Sequence, residues 1–169
     1  IVFGPEDEFF NRFAAMARFS PVLPLIGGGR TRFQPVFVGD VALAIAEVAG
    51  GAGKPGTVYE LGGPEVLSFR ELLERTLEYA GRRRGLLSLP FWLAKLQALL
   101  TWPLPNSLRP LTVDQVRLLQ SDNVVSTAAL KEGRTLAGLG IATPQSIGAI
   151  VPAYLERFKP KGQSSHYRG

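Results

Sequence analysis

Apolar residues fall along this chain in short runs and helical stripes that alternate, and the alternation predicts an α/β protein. Ile1-Val2-Phe3 reads as a strand already under way, ended by Gly4-Pro5-Glu6-Asp7. Behind it Phe9, Phe10, Phe13, Ala14, Met16 and Ala17 recur at helical spacing, and Asp7 can cap that helix. Pro21 and Pro24 punctuate an extended piece around Val22 to Ile26. Since Arg30-Thr31-Arg32-Phe33 reads as a strand, Gly27-Gly28-Gly29 is expected to be a tight turn between two strands. Val36-Phe37-Val38 is the next strand and hands directly to a helix. Asp40 is its expected N-cap, Val41, Ala44, Ile45 and Val48 its inward face, and Gly50-Gly51 its stop.

Thr57 to Leu61 predicts another strand, ended by Gly62-Gly63-Pro64. Ser68-Phe69-Arg70-Glu71 is a capping box opening a helix to about Ala80, with Leu72, Leu73, Thr76, Leu77 and Ala80 as its buried stripe. Residues 86 to 104 are the most apolar part of the chain, yet Pro90, Lys95, Gln97 and Pro103 interrupt them. They fall short of the ~20 apolar residues a membrane span needs. Three placements follow: a core helix, a lid over a substrate pocket, or an interfacial helix on a membrane or partner. In the third, Arg82, Arg83 and Arg84 lie near lipid head groups and Trp92 and Trp102 at the boundary. Thr112-Val113-Asp114-Gln115 is a second capping box, and Ser121-Asp122-Asn123 a loop. Thr143, with Pro144 behind it, is the expected cap of a last helix whose inward face is Ile147, Ile150, Val151, Tyr154, Leu155 and Phe158; Pro152 should weaken or kink it. Residues 161–169 form a polar tail expected to be disordered.

With 169 residues, 46% of them apolar, the chain has the composition of one globular unit. Because it opens on Ile inside an apolar run, it is expected to be part of a longer protein. The net charge of +5 permits attraction to anionic lipid or an acidic partner. Nucleic acid is a poor fit, since the one compact basic cluster, Arg82-Arg83-Arg84, lacks interleaved aromatics or a groove-reading pattern. No Cys is present and the lone His166 lies in the tail, so no metal site is expected. Gly50-Gly51-Ala52-Gly53-Lys54-Pro55-Gly56 lacks the spacing and the Ser or Thr of a phosphate-binding loop and reads as a surface connection.

Gln34-Pro35-Val36-Phe37-Val38-Gly39-Asp40-Val41-Ala42, preceded by Ile1 to Asp7 and followed by Val58-Tyr59-Glu60-Leu61-Gly62-Gly63-Pro64, resembles the C-terminal half of the extended and atypical short-chain dehydrogenase/reductases. Within that superfamily it is most similar to the nucleotide-binding accessory subunit of respiratory complex I and its bacterial relatives. The resemblance runs from Ile1 to about Phe158. It implies the C-terminal part of a Rossmann-type domain over residues 1–64 and a mainly helical substrate or partner subdomain over 65–160. It also implies a parent protein holding NADP or NAD, although this piece alone is not expected to bind it. Ile1 and Phe3 would sit near the nicotinamide end of that cofactor, with Gln34 and Phe37 lining the adjacent pocket. Core packing is the competing role for Ile1, Phe3 and Phe37.

The superfamily's catalysis depends on a Tyr whose phenol is acidified by a Lys one helical turn on. Here Tyr59, Tyr79 and Tyr154 are followed four places later by Gly63, Arg83 and Phe158, and the glycine-rich dinucleotide fingerprint does not occur in these residues. Many relatives carry His or Tyr where Phe37 stands, so a hydrogen bond to substrate is missing as well. The resemblance therefore implies a protein that holds its dinucleotide for structure or sensing. Its partners would be the N-terminal half of its own chain, complex I subunits and an anionic membrane surface. It would lie at the cytoplasmic face of a bacterial inner membrane, or on the matrix side in a mitochondrion. Two further readings compete: an active atypical reductase or nucleotide-sugar epimerase or dehydratase, with residues 86–120 as lid, and a docking module built on the apolar helix.

Overall fold

The computed structural model describes residues 1–100 and 113–160. The expected Trp102 contact, the Thr112 cap and the tail lie outside the described residues. The first third of the chain runs β1 (Val2–Phe3), α1 (Phe9–Phe19), β2 (Val22–Ile26), β3 (Arg32–Phe33), β4 (Val36–Phe37) and α2 (Val38–Ala49). It continues through β5 (Leu67–Ser68), α3 (Phe69–Tyr79), β6 (Gly85–Leu89), α4 (Phe91–Leu100), α5 (Val113–Leu118), α6 (Thr127–Lys131) and α7 (Ile147–Leu155).

Among the described residues the strands form three pairs. β1 lies parallel to β4, with Phe3 opposite Phe37, and β2 lies parallel to β6, with Val22 opposite Gly85. β3 runs antiparallel to β5. Because β2 and β3 find their partners beyond residue 64, the boundary anticipated there is not a packing boundary. One core continues across it, from Phe3, Phe10 and Phe13 through Leu72 and Leu73 to Val151 and Leu155. A smaller cluster of Val36, Ala44, Leu136 and Leu139 sits under α2.

Several elements follow directly from local chemistry. Asp7 Oδ1 accepts from the Phe10 backbone N–H at 2.6 Å, which secures the start of α1. Both arms of the Ser68–Glu71 capping box are made at the head of α3. The triple glycine is a 3₁₀ turn between β2 and β3, and Gly27 has φ +61°, with the Phe91 ring so close that a Cβ would lie 2.2 Å from it. Only glycine satisfies both demands.

Other expectations are corrected. α2 begins at Val38, so Asp40 lies inside the first turn; it is buried and accepts instead from the Gln145 N–H at 2.7 Å. The expected inward face of α2 is inward only at Ala44 and partly at Val41, while Ile45 is 65% exposed and Val48 is exposed too. Thr57–Leu61 forms no strand, since Glu60 N–H and the Val58 carbonyl bond singly to Arg134 rather than to a ladder. The apolar run from Leu86 to Leu89 is strand, not helix, and α4 starts only after Pro90. α7 is capped by Ser146, whose hydroxyl accepts from Ala149 N–H, and not by Thr143. Pro152 sits within α7, which passes into a 3₁₀ turn at Glu156–Phe158.

Candidate functional site

Ligands in open α/β sheets bind outside the carboxyl ends of parallel strands. At that end of β1 a crevice of about 380 Å³ is walled by residues 2–7 and by Val38 at the head of α2. Asp7 stands on its rim and is held from two sides, accepting from Phe10 N–H and, through Oδ2, from the Tyr154 hydroxyl at 2.5 Å. Burial pushes the Asp7 carboxyl above its usual range despite these bonds. Burial first, and the neighbouring carboxylate second, push the Tyr154 phenol well up. Glu6 and Asp7 are the only charged groups among the described lining residues, so this crevice does not fit a pyrophosphate.

The residues expected near that cofactor are dispersed. Phe3, expected at its nicotinamide end, is 0% exposed and packs against Phe10 and Phe37, with ring centroids 6.1 and 5.8 Å away. Its side chain is core, because a ring enclosed on both sides has no face left for a ligand. Phe37 is half-buried against the same ring. Ile1 faces a different cavity, described below.

Both ends of the Gln34 amide are tied to backbone. Its Nε2 donates to the Gly63 carbonyl at 2.9 Å, and its Oε1 accepts from the Val125 N–H at 2.9 Å. The backbone at Gly63 also runs so close to β4 that a Cβ there would lie 1.8 Å from the Pro35 carbonyl oxygen. Gln34 thus pins together three segments distant in sequence. Asn123 N–H donates to the Arg32 carbonyl, Gln34 N–H donates to the Asn123 carbonyl, and Arg32 forms an ion pair with Asp122 at 2.7 Å.

A second cavity, of about 210 Å³, lies between α1, β3, α3 and the end of α5. Phe9, Phe13, Phe33 and Phe69 form its aromatic wall, with Phe69 lying 6.0, 5.8 and 6.5 Å from the rings of Phe9, Phe13 and Phe33. Ile1, Leu118 and Leu119 complete the apolar lining, and Glu8, Arg12 and Asn123 add polar groups. Sequence reasoning missed this site. Only Phe9 and Phe13 share a local pattern; the other walls come from strands and helices far apart in the chain.

The expected docking residues separate. Arg82 Nε donates to the Phe158 carbonyl and Arg84 Nε to the Ala17 carbonyl, so both brace the fold, while Arg83 is exposed. Trp92 is 67% exposed, and Leu96 and Leu99 are exposed along the same stripe of α4, beside Lys95. The five residues of β6 stand between the two groups, about 16 Å of strand. The arginines therefore do not flank the tryptophan. No helix among the described residues is long and apolar enough to cross a membrane, and no group of three His, Cys, Asp or Glu side chains there is placed to hold a metal ion.

No family model matches the chain. It is 38% identical over 137 residues to the mitochondrial NADH dehydrogenase [ubiquinone] 1 alpha subcomplex subunit 9 of Arabidopsis thaliana, covering 76% of this chain and 34% of that protein. The subunit of the same name from Dictyostelium discoideum is 31% identical over 78 residues, covering 46% of this chain and 22% of that one. The chain thus spans about a third or less of the curated relatives it matches. Among solved structures, the UDP-glucose 4-epimerase of Thermus thermophilus, in complex with NAD, superposes with a TM-score of 0.55 at 21% identity, over 93% of this chain and 43% of that one. The structure of gox2253 gives a TM-score of 0.56 at 21% identity, over 92% and 47%. The chain is therefore related by sequence to the alpha subcomplex subunit 9 of NADH dehydrogenase, and its α/β fold matches part of the Rossmann-type fold of these solved structures.

Proposed function

We propose that this chain is part of an NAD(P)-binding protein that associates with NADH:ubiquinone oxidoreductase, complex I, and holds its dinucleotide for structure or sensing. The observation that carries the reading is the 38% identity to the Arabidopsis subunit of that complex. A bound dinucleotide brings hydride chemistry. The residues of this chain contribute shape: the β1 crevice would wall the nicotinamide end of the cofactor, and the Phe3–Phe37 pair backs the strands behind it. With acidic groups on that rim, the pyrophosphate is left to the rest of the protein. Structure or sensing is favoured over turnover because Phe37 offers a substrate no hydrogen bond and the Tyr154 hydroxyl spends its hydrogen bond on the Asp7 carboxyl. The protein would lie peripheral to the membrane that carries complex I. To test the association, the whole protein is followed on native gels of detergent-solubilised membranes. Migration with NADH dehydrogenase activity is expected; migration only as a free protein contradicts the reading.

The exposed α4 stripe supports one addition, contact with an anionic membrane surface. An outward row of Trp92, Leu96 and Leu99 with Lys95 among them is the pattern of an interfacial helix rather than a core one. Co-sedimentation with anionic vesicles at low salt, reduced by Trp92→Gln, is the expected result. Absence of sedimentation removes direct lipid contact.

A further inference from the structure

We infer that the aromatic cavity between α1, β3, α3 and α5 is a binding site for an uncharged hydrocarbon group, the ring or chain end of a small apolar molecule. This assignment is independent of the dinucleotide reading, because it uses a different cavity from the β1 crevice. Phe13, Phe33, Phe69 and Leu119 are buried and form the floor, while Leu118 is exposed at the mouth. That floor offers dispersion contacts and nothing to hydrogen-bond. A dry cavity of about 150 Å³ lined by Leu, Ile and Phe is enough to hold benzene, and this one measures about 210 Å³.

The charge class follows from the polar groups. Among the described residues, no buried side-chain polar atom lacks a partner, so none on the buried floor waits for a ligand's polar atom, and the polar groups of the lining, Glu8, Arg12 and Asn123, are not buried. The charged groups on its lining, Glu8 at the N-cap of α1 and Arg12 in its first turn, are one anion and one cation four residues apart, which together give no net preference for an ionic ligand. A carboxylate or ammonium carried to the phenylalanine floor would lose its hydration without gaining a partner. Edge-to-face contacts with the existing ring cluster favour an aromatic or unsaturated group.

The test uses the full protein and titration calorimetry with n-butylbenzene, 1-octanol and octanoate. Saturable one-site binding of n-butylbenzene and 1-octanol is expected, with octanoate weaker by about tenfold or more. Leu118→Asp places a charge at the mouth, on an already exposed residue, and is expected to weaken binding by about tenfold, while Trp92→Gln on α4 leaves it unchanged. Methyl resonances of Leu118 and Leu119 in the unsubstituted protein are expected to shift on titration, a readout that needs no variant. The assignment is overturned by a lack of saturation up to the solubility of the probes, by binding that Trp92→Gln rather than Leu118→Asp abolishes, by methyl shifts confined to other leucines, or by octanoate binding as tightly as 1-octanol.

Discussion

Replacing Gln34 with alanine removes both arms of the clamp that joins the start of β4 to Gly63 and to Val125. Each bond is 2.9 Å long and joins a side-chain amide to backbone, so each contributes about 1 kcal/mol net. Gly63 is buried, and its carbonyl left without a donor adds to that loss. Water admitted by the neighbouring cavity of about 230 Å³, which Gln34, Glu60 and Val125 help to line, offsets part of it. The expected cost of Gln34→Ala is about 2 kcal/mol, a fall in Tm of about 4–8 °C for a chain of this size. Gln34→Glu sharpens the reasoning: at neutral pH a carboxylate still accepts from Val125 N–H but faces the Gly63 carbonyl with no proton to donate. It should destabilise more than alanine at pH 7, and the gap should close as the carboxyl protonates in acid. Urea unfolding of the three proteins at two pH values measures this. If Gln34→Ala changes stability by less than about 0.5 kcal/mol, the residue is not a structural clamp and a ligand-facing role returns.

Three further outcomes follow from the geometry. Gly27→Ala forces a β-carbon into φ +61° and against the Phe91 ring, and should cost about 2–4 kcal/mol by urea unfolding; a neutral result would mean that Phe91 does not pack there. Asp40→Ala should cost about 1–3 kcal/mol by stranding Gln145 N–H, with Asp40→Asn recovering most of it because an amide oxygen still accepts. The Asp7 carboxyl is raised by burial, so the folded state holds its proton more tightly than the unfolded chain does. Its contribution to stability is therefore lost as pH rises from the ordinary carboxyl value through the raised one. Asp7→Asn should remove this falling component from the stability–pH curve above the ordinary carboxyl value, and an identical slope in the variant would contradict it.

What the sequence revealed was mostly local. The capping box at Ser68, the glycine turn after β2, the Asp7 bond at the head of α1 and the apolar stripe of α3 are each set by residues within one turn of one another. What stayed hidden was decided at long range. Asp40 in its motif reads as a cap, yet its acceptor role is fixed by Gln145, 105 positions away. Leu86 to Leu89 has no period that separates strand from helix, and only pairing with β2 makes it a strand. Thr57–Leu61 has the composition of a strand, but Arg134 takes the groups a neighbouring strand would need. The site divides in the same way. Gln34 announced that it needed a partner without naming Gly63 and Val125, and the phenylalanine cavity is assembled by the fold from four elements, with no motif to mark it.

The relation to the NADH dehydrogenase subunit raises one question above the others, whether the protein carries a dinucleotide. The most direct measurement is to purify the whole protein, denature it and quantify released nucleotides by chromatography and mass spectrometry. NADP(H) or NAD(H) at close to one molecule per protein molecule is the result this account predicts, with no oxidation of added NADPH by the purified protein. A nucleotide-free protein that also fails to take up either dinucleotide would contradict it.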